Sequence, residues 1–87
     1  MVTREPVDGL SLIVARNVRS RRAGLKLRQV DVAERAGIPR SMLSTIEGER
    51  RRVTLDDALA LCRGLGISLG SLLEGADQAD RRTLGLG

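Results

Sequence analysis

An 87-residue chain holds one domain with a small core. With no Phe, Tyr, Trp or His and a single cysteine, Cys62, that core must be aliphatic, and internal disulfides, multi-cysteine or histidine metal sites and histidine-based catalysis are excluded. All but Lys26 of the 15 basic residues are arginine, and the charge is uneven: residues 1–52 carry a net of +6 and residues 53–87 a net of −2, a division that suits a polyanion on one face, with a merely solubilising surface as the competing explanation.

Residues 1–9 read as a flexible arm, because Pro6 disfavours helix through Glu5 and little in the segment can be buried. Arg4 in this arm could reach a minor groove, and no role is the favoured expectation. From Leu10 the apolar spacing becomes helical, with Leu10, Val14 and Val18 four apart and Ile13 beside them, up to a stop at Gly24. The longest apolar run here, Leu12–Ala15, is too short for a signal peptide or a membrane span, so the expected location is the cytoplasm.

A second helix runs over Gln29–Ala36 with Val32, Ala33 and Ala36 on one side and ends at Gly37. Pro39 opens a third, with Met42, Leu43 and Ile46 as its apolar stripe and Gly48 as its end. A charged loop with Arg50, Arg51 and Arg52 follows. Thr54 then caps a fourth helix, with Asp56 and Asp57 near the positive end of its dipole. Its expected buried face is Leu55, Ala58, Leu59, Cys62 and Leu65, with Cys62 a plain core residue. Ser68 caps a short fifth helix that buries Leu69, Leu72 and Leu73. Residues 10–75 thus form the domain, and residues 76–87 have so little to bury that a frayed tail is expected. No period-two alternation and no internal repeat are present, so the fold class is all-α, a compact five-helix bundle.

The stretch from Gln29 to Ile46 carries the functional signal. Two short helices joined by a tight turn need a small residue where the second crosses the first, a glycine at the turn and apolar residues that hold the pair on the core. Ala33, Gly37, Val32, Ala36, Ile38, Leu43 and Ile46 meet each demand at the right offset. In this set, and across VRSRRAGLKLRQVDVAERAGIPRSMLSTIEGERRRVTLDDALALCRGLGISLGSLL, the chain resembles the lambda-repressor-like, Cro-type (XRE) helix-turn-helix family over Leu10 to about Leu73. The resemblance implies a five-helix bundle whose second and third helices read DNA, in proteins that are mostly repressors binding operators as dimers.

Carried over by position, the resemblance sets Gln29 at the start of the second helix, where it would meet a phosphate. It sets Arg40, Ser41, Ser44 and Thr45 on the outward face of the recognition helix. Arg40 is the foremost candidate for base readout, able to give two hydrogen bonds to one guanine, with a phosphate contact or a solvated side chain as the competing reading. Ser41 and Thr45 could reach base edges, and Met42 reads as packing or a contact to a sugar. Arg50, Arg51 and Arg52 would lie against the DNA backbone, or simply be a solvated turn. Arg22 and Glu47 are expected to pair and tie the first helix to the third, a structural role. The chain departs from the family where Arg28 and Pro39 stand at the caps of the second and third helices. Glu49 stands at the family's usual glycine, with Gly48 one position early, and Val53 replaces a common proline.

The function read from these residues is a sequence-specific double-stranded DNA-binding transcriptional regulator, most simply a repressor, acting as a homodimer on a pseudo-palindromic operator at the nucleoid. A DNA-binding antitoxin and a protein-interaction module on the same fold are the alternatives. The module would carry neutral or acidic residues where Arg40 and Arg50–Arg52 stand. Nothing in the sequence calls for a cofactor, no catalytic constellation or glycine phosphate loop is present, and no aromatic exists on which RNA bases could stack. Any dimer would have to use the bundle itself, plausibly through Ile67, Leu69 and Leu72.

Overall fold

In the computed structural model, residues 9–86 are described, and every regular element among them is helical. Met1–Asp8, and with them Arg4 and nearly all of the expected arm, lie outside the described residues. The elements are α1 (Gly9–Gly24), α2 (Gln29–Ala36), α3 (Arg40–Glu47), α4 (Leu55–Leu65), α5 (Leu69–Leu72) and α6 (Gln78–Thr83). The first five follow the expected order and stops, and the sixth is additional.

The core is aliphatic. Leu43, Ile46, Leu61, Leu72, Val18 and Val32 are its largest fully buried side chains, and Val14, Ala33, Ala58, Leu65 and Leu73 complete it. Burial of each larger side chain contributes about 1.5–3 kcal/mol. Gly37 ends α2 at φ 71°, and this left-handed turn lets the N–H groups of Gly37 and Ile38 bond back to the carbonyls of Glu34 and Ala33. The chain therefore turns within three residues, and α3 starts at once. Pro39 sits at the N-cap of α3 with φ −63°, and its carbonyl accepts from Met42 and Leu43. The cap of α2 is made by other means than the usual hydroxyl. The Asp31 carboxylate accepts the backbone N–H of Arg28 at 2.9 Å, and the Arg28 guanidinium closes over it.

The buried face of α4 differs from the expected one. Ala58, Leu61 and Leu65 face the core with Ala60 and Gly64, whereas Leu55 and Leu59 are 69% and 45% exposed and Cys62 is half-buried. The reason is that α4 is apolar on most of its circumference. Two stripes of helical period run along it, and periodicity cannot choose between them. The choice is made by α2, whose backbone packs closely on Gly64. A Cβ there would stand 2.9 Å from that of Ala36 and 3.0 Å from the Val32 carbonyl oxygen. Burial pushes the Cys62 thiol up from its ordinary pKa, as suits a packing residue.

The C-terminal segment differs as well. Asp77 caps α6 by accepting the Ala79 N–H, and the Arg81 guanidinium donates to the carbonyls of Gly70 and Leu73 at 3.2 Å. Leu86 packs against the core. A six-residue helix is marginal alone. Its order here comes from Arg81 satisfying carbonyls at the end of α5, a partnership that local sequence does not reveal.

Candidate nucleic-acid interface

The eight residues of α3 divide cleanly. Leu43 and Ile46 are buried in the core and Met42 is half-buried. Arg40 and Ser41 are exposed at the helix start, and Ser44 and Thr45 are half-exposed one turn on. The Arg40 side chain makes no hydrogen bond or ion pair among the described residues, so its guanidinium is available to an external partner. The Thr45 hydroxyl donates to the Ser41 carbonyl at 2.8 Å, which commits its proton inside the helix.

A clamp beneath α3 fixes its angle. Glu47, 5% exposed, accepts two hydrogen bonds of 2.9 Å from Nε and Nη2 of Arg22. The third Arg22 nitrogen donates to the Leu27 carbonyl. This is the geometry in which a fork-shaped cation matches a carboxylate, and the hydrogen bond to Glu47 raises the Arg22 pKa further while burial opposes it. Gln29 is drawn into the same cluster, with its amide 3.3 Å from Glu47 Oε1, so in this structure its partner is the clamp. Arg19 adds a bond to the Glu47 backbone carbonyl and an ion pair with Glu49. Sequence reasoning did not single out Arg19. The signal that could have found it is its place three residues before Arg22 on the same side of α1.

The loop after α3 turns at Glu49, which takes φ 62°, while Gly48 has an ordinary φ of −80°. The left-handed residue is thus the one at the position where the resembled family carries glycine. The three arginines then separate. Arg50 is exposed and its guanidinium lies over the last turn of α3, within 3.3 Å of where a Cβ on Gly48 would stand. Arg51 is half-buried and turned to Asp57 in α4 at 3.2 Å. Arg52 is exposed. Asp57, read from sequence only as a helix-start acid, is therefore also the partner of an arginine expected at DNA. Val53 ties the end of the loop to α1 through its N–H and the Ser11 hydroxyl, 2.8 Å apart.

The result is one surface on which Arg40, Ser41, Ser44, Thr45 and Arg50 are accessible together, with Ser41, Met42, Thr45, Arg50 and Arg51 lining a shallow depression. Among the described residues no cluster of acidic or cysteine side chains could hold a metal ion, and no helix is long and apolar enough to cross a membrane.

Comparison with known proteins agrees with the fold. The helix-turn-helix family profile matches residues 18–72. Control protein C.SmaI of Serratia marcescens is 38% identical over 61 residues, which span 70% of this chain and 73% of that protein. The crystal structure of the restriction-modification controller protein C.AhdI from Aeromonas hydrophila superposes with a TM-score of 0.67 at 27% identity, covering 71% of this chain and 94% of that one. The clp gene regulator ClgR from C. glutamicum superposes with a TM-score of 0.69 at 28% identity, covering 79% and 87%.

Proposed function

This chain belongs to the helix-turn-helix family of DNA-binding transcription regulators, and on that premise we propose that it is a sequence-specific repressor that reads the major groove of double-stranded DNA with α3. The observation that carries this reading is Arg40. It is unpartnered and exposed in the first turn of a helix whose last turn is clamped to α1 through Glu47. A fixed helix with a free guanidinium at its first turn can give the two parallel N–H bonds that O6 and N7 of a guanine accept. Arg50, on the same surface, supplies charge for the phosphate backbone.

The control and controller proteins among the relatives support a transcription regulator, and the cytoplasm, at the nucleoid, is the place we propose for it. An interaction module would present neutral or acidic side chains on α3, and the exposed Arg40 and Arg50 speak against it.

One recognition helix of eight residues touches only a few base pairs, so a useful operator needs two copies on a pseudo-palindromic site. Leu72, expected at the interface, is fully buried and cannot serve. The surface we assign to the second copy is an apolar groove of about 160 Å³ lined by Leu10, Val53, Leu55, Leu69 and Leu84.

The test is selection of bound duplexes from a random pool, followed by Arg40→Ala. The variant should bind the selected site about 1–3 kcal/mol more weakly and random DNA nearly as well as the parent. Equal losses on both would reduce Arg40 to a phosphate contact, and failure to enrich any sequence would remove sequence-specific readout.

A further inference from the structure

The three consecutive arginines of the α3–α4 loop look equivalent in sequence, yet the fold gives them different surroundings. Exposure differs along them: Arg50 and Arg52 are exposed, and Arg51 between them, its side chain still 39% exposed, is turned toward Asp57. Its Nε and Nη2 donate to the Asp57 carboxylate at 3.2–3.4 Å. That carboxylate is 5% exposed and also accepts the Thr54 N–H at 3.0 Å, so it closes the capping box of α4. Arg51 also borders Met42 and Thr45 at the side of α3, together with Arg50. It thus ties the loop to the first turn of α4, and with the bond from Val53 to Ser11 it makes the second of two anchors for this loop.

Resting on the DNA-binding reading above, we infer that Arg51 is a positioning residue: its bond to Asp57 sets the path of the loop and so holds Arg50 and Arg52 against the DNA backbone, while its own charge is engaged by Asp57. The physical reason is asymmetry of solvation. A carboxylate almost removed from water holds a neighbouring cation more firmly than a solvated phosphate does, because losing the partner leaves a poorly compensated buried charge.

The test uses the full chain, the duplex selected from the random pool and a random duplex, with binding measured well below each variant's melting temperature. Asp57→Asn keeps an oxygen for the Thr54 N–H and makes the protein one unit more positive. Charge alone would tighten binding. The positioning role requires the reverse, a loss of about five- to tenfold on both duplexes. Arg51→Met, which keeps the apolar stem and removes the guanidinium, should cost a similar factor, and combining the two should cost no more than either alone. Adding Arg50→Ala to Arg51→Met should bring little further loss, because Arg50 is already displaced.

Tighter binding by Asp57→Asn, with a steeper fall of affinity with salt, would mean that a released Arg51 contacts phosphate, and would overturn the proposal. Fully additive losses for Arg50→Ala and Arg51→Met would overturn it too. So would lowered melting temperatures with unchanged affinity, which would leave the bond a purely structural one. Either variant decides alone if the other does not fold: Asp57→Asn by the sign of its effect, Arg51→Met by its coupling to Arg50. Absence of binding by the parent chain to any duplex would sink the DNA-binding reading, and this inference with it. Binding by the parent with any of the contrary variant results would sink the inference alone.

Discussion

Glu49 holds a backbone conformation that suits glycine. At φ 62° its Cβ crowds its own carbonyl, a cost on the order of 1 kcal/mol, and the compensating ion pair with Arg19 is 3.7 Å long between half-exposed groups, worth well under that. Glu49→Gly should therefore stabilise the protein slightly, by up to about 0.5 kcal/mol after the extra freedom of the unfolded chain is counted, read as a higher urea midpoint at unchanged slope. A lower midpoint would show that the Arg19 pair outweighs the backbone cost. Asp31 gives a prediction in pH. Hydrogen bonds from Arg28 hold its carboxyl below the usual carboxylate range. A group whose folded pKa is depressed adds stability above its unfolded pKa, and that stability fades as pH falls through the folded value. Replacing Asp31 by Asn should accordingly flatten the loss of stability between neutral pH and the acid side of the carboxylate range, and the Asp31 side-chain resonance should titrate lower than that of a free aspartate. An Asp31 that titrates at the ordinary value would remove the cap contribution.

At the scale of the element, α4 shows how two helices settle a choice that one helix leaves open. Its apolar residues go nearly all the way round, and the face that turns inward is the one that lets α2 come close at Gly64. Gly64→Ala should gain up to about 1 kcal/mol of helix propensity and lose more through overpacking, because the neighbours of the new methyl include α2 backbone that cannot rotate away. The net expectation is a loss of about 1–2 kcal/mol in thermal or denaturant unfolding, whereas an unchanged or raised stability would mean that α2 and α4 can separate freely. The consequence reaches function, since α2 and the turn at Gly37 are what seat α3.

For the molecule as a whole, Leu55, 69% exposed, and Leu84, 45% exposed, border one apolar groove that a partner could cover. A second copy related by a two-fold axis would bury it on both sides with the same residues. Leu55→Asp and Leu84→Asp should leave the melting temperature of the monomer nearly unchanged, move sedimentation to the monomer mass and weaken operator binding. Sedimentation of the parent chain as a monomer at all concentrations, with operator-length DNA or without it, would withdraw this interface.

The order and limits of α1 to α5 and the turn at Gly37 were legible in the residues, because each rests on short-range rules: helical spacing and a glycine where φ must be positive. Arg22, a charge on an apolar stripe, showed only that it needs a counter-charge, and the family resemblance named Glu47. The outward placement of Arg40 and Ser41 followed from the same spacing. Three matters were decided only in three dimensions. Which side of α4 faces inward depends on the approach of α2 to Gly64, the helix at Gln78–Thr83 depends on carbonyls of α5 that Arg81 reaches, and the separation of Arg51 from its neighbours depends on a buried carboxylate six positions further on. Local patterns fix what a segment can form. Where two local solutions cost nearly the same, the contacts between segments choose, and those contacts exist only once the chain has folded.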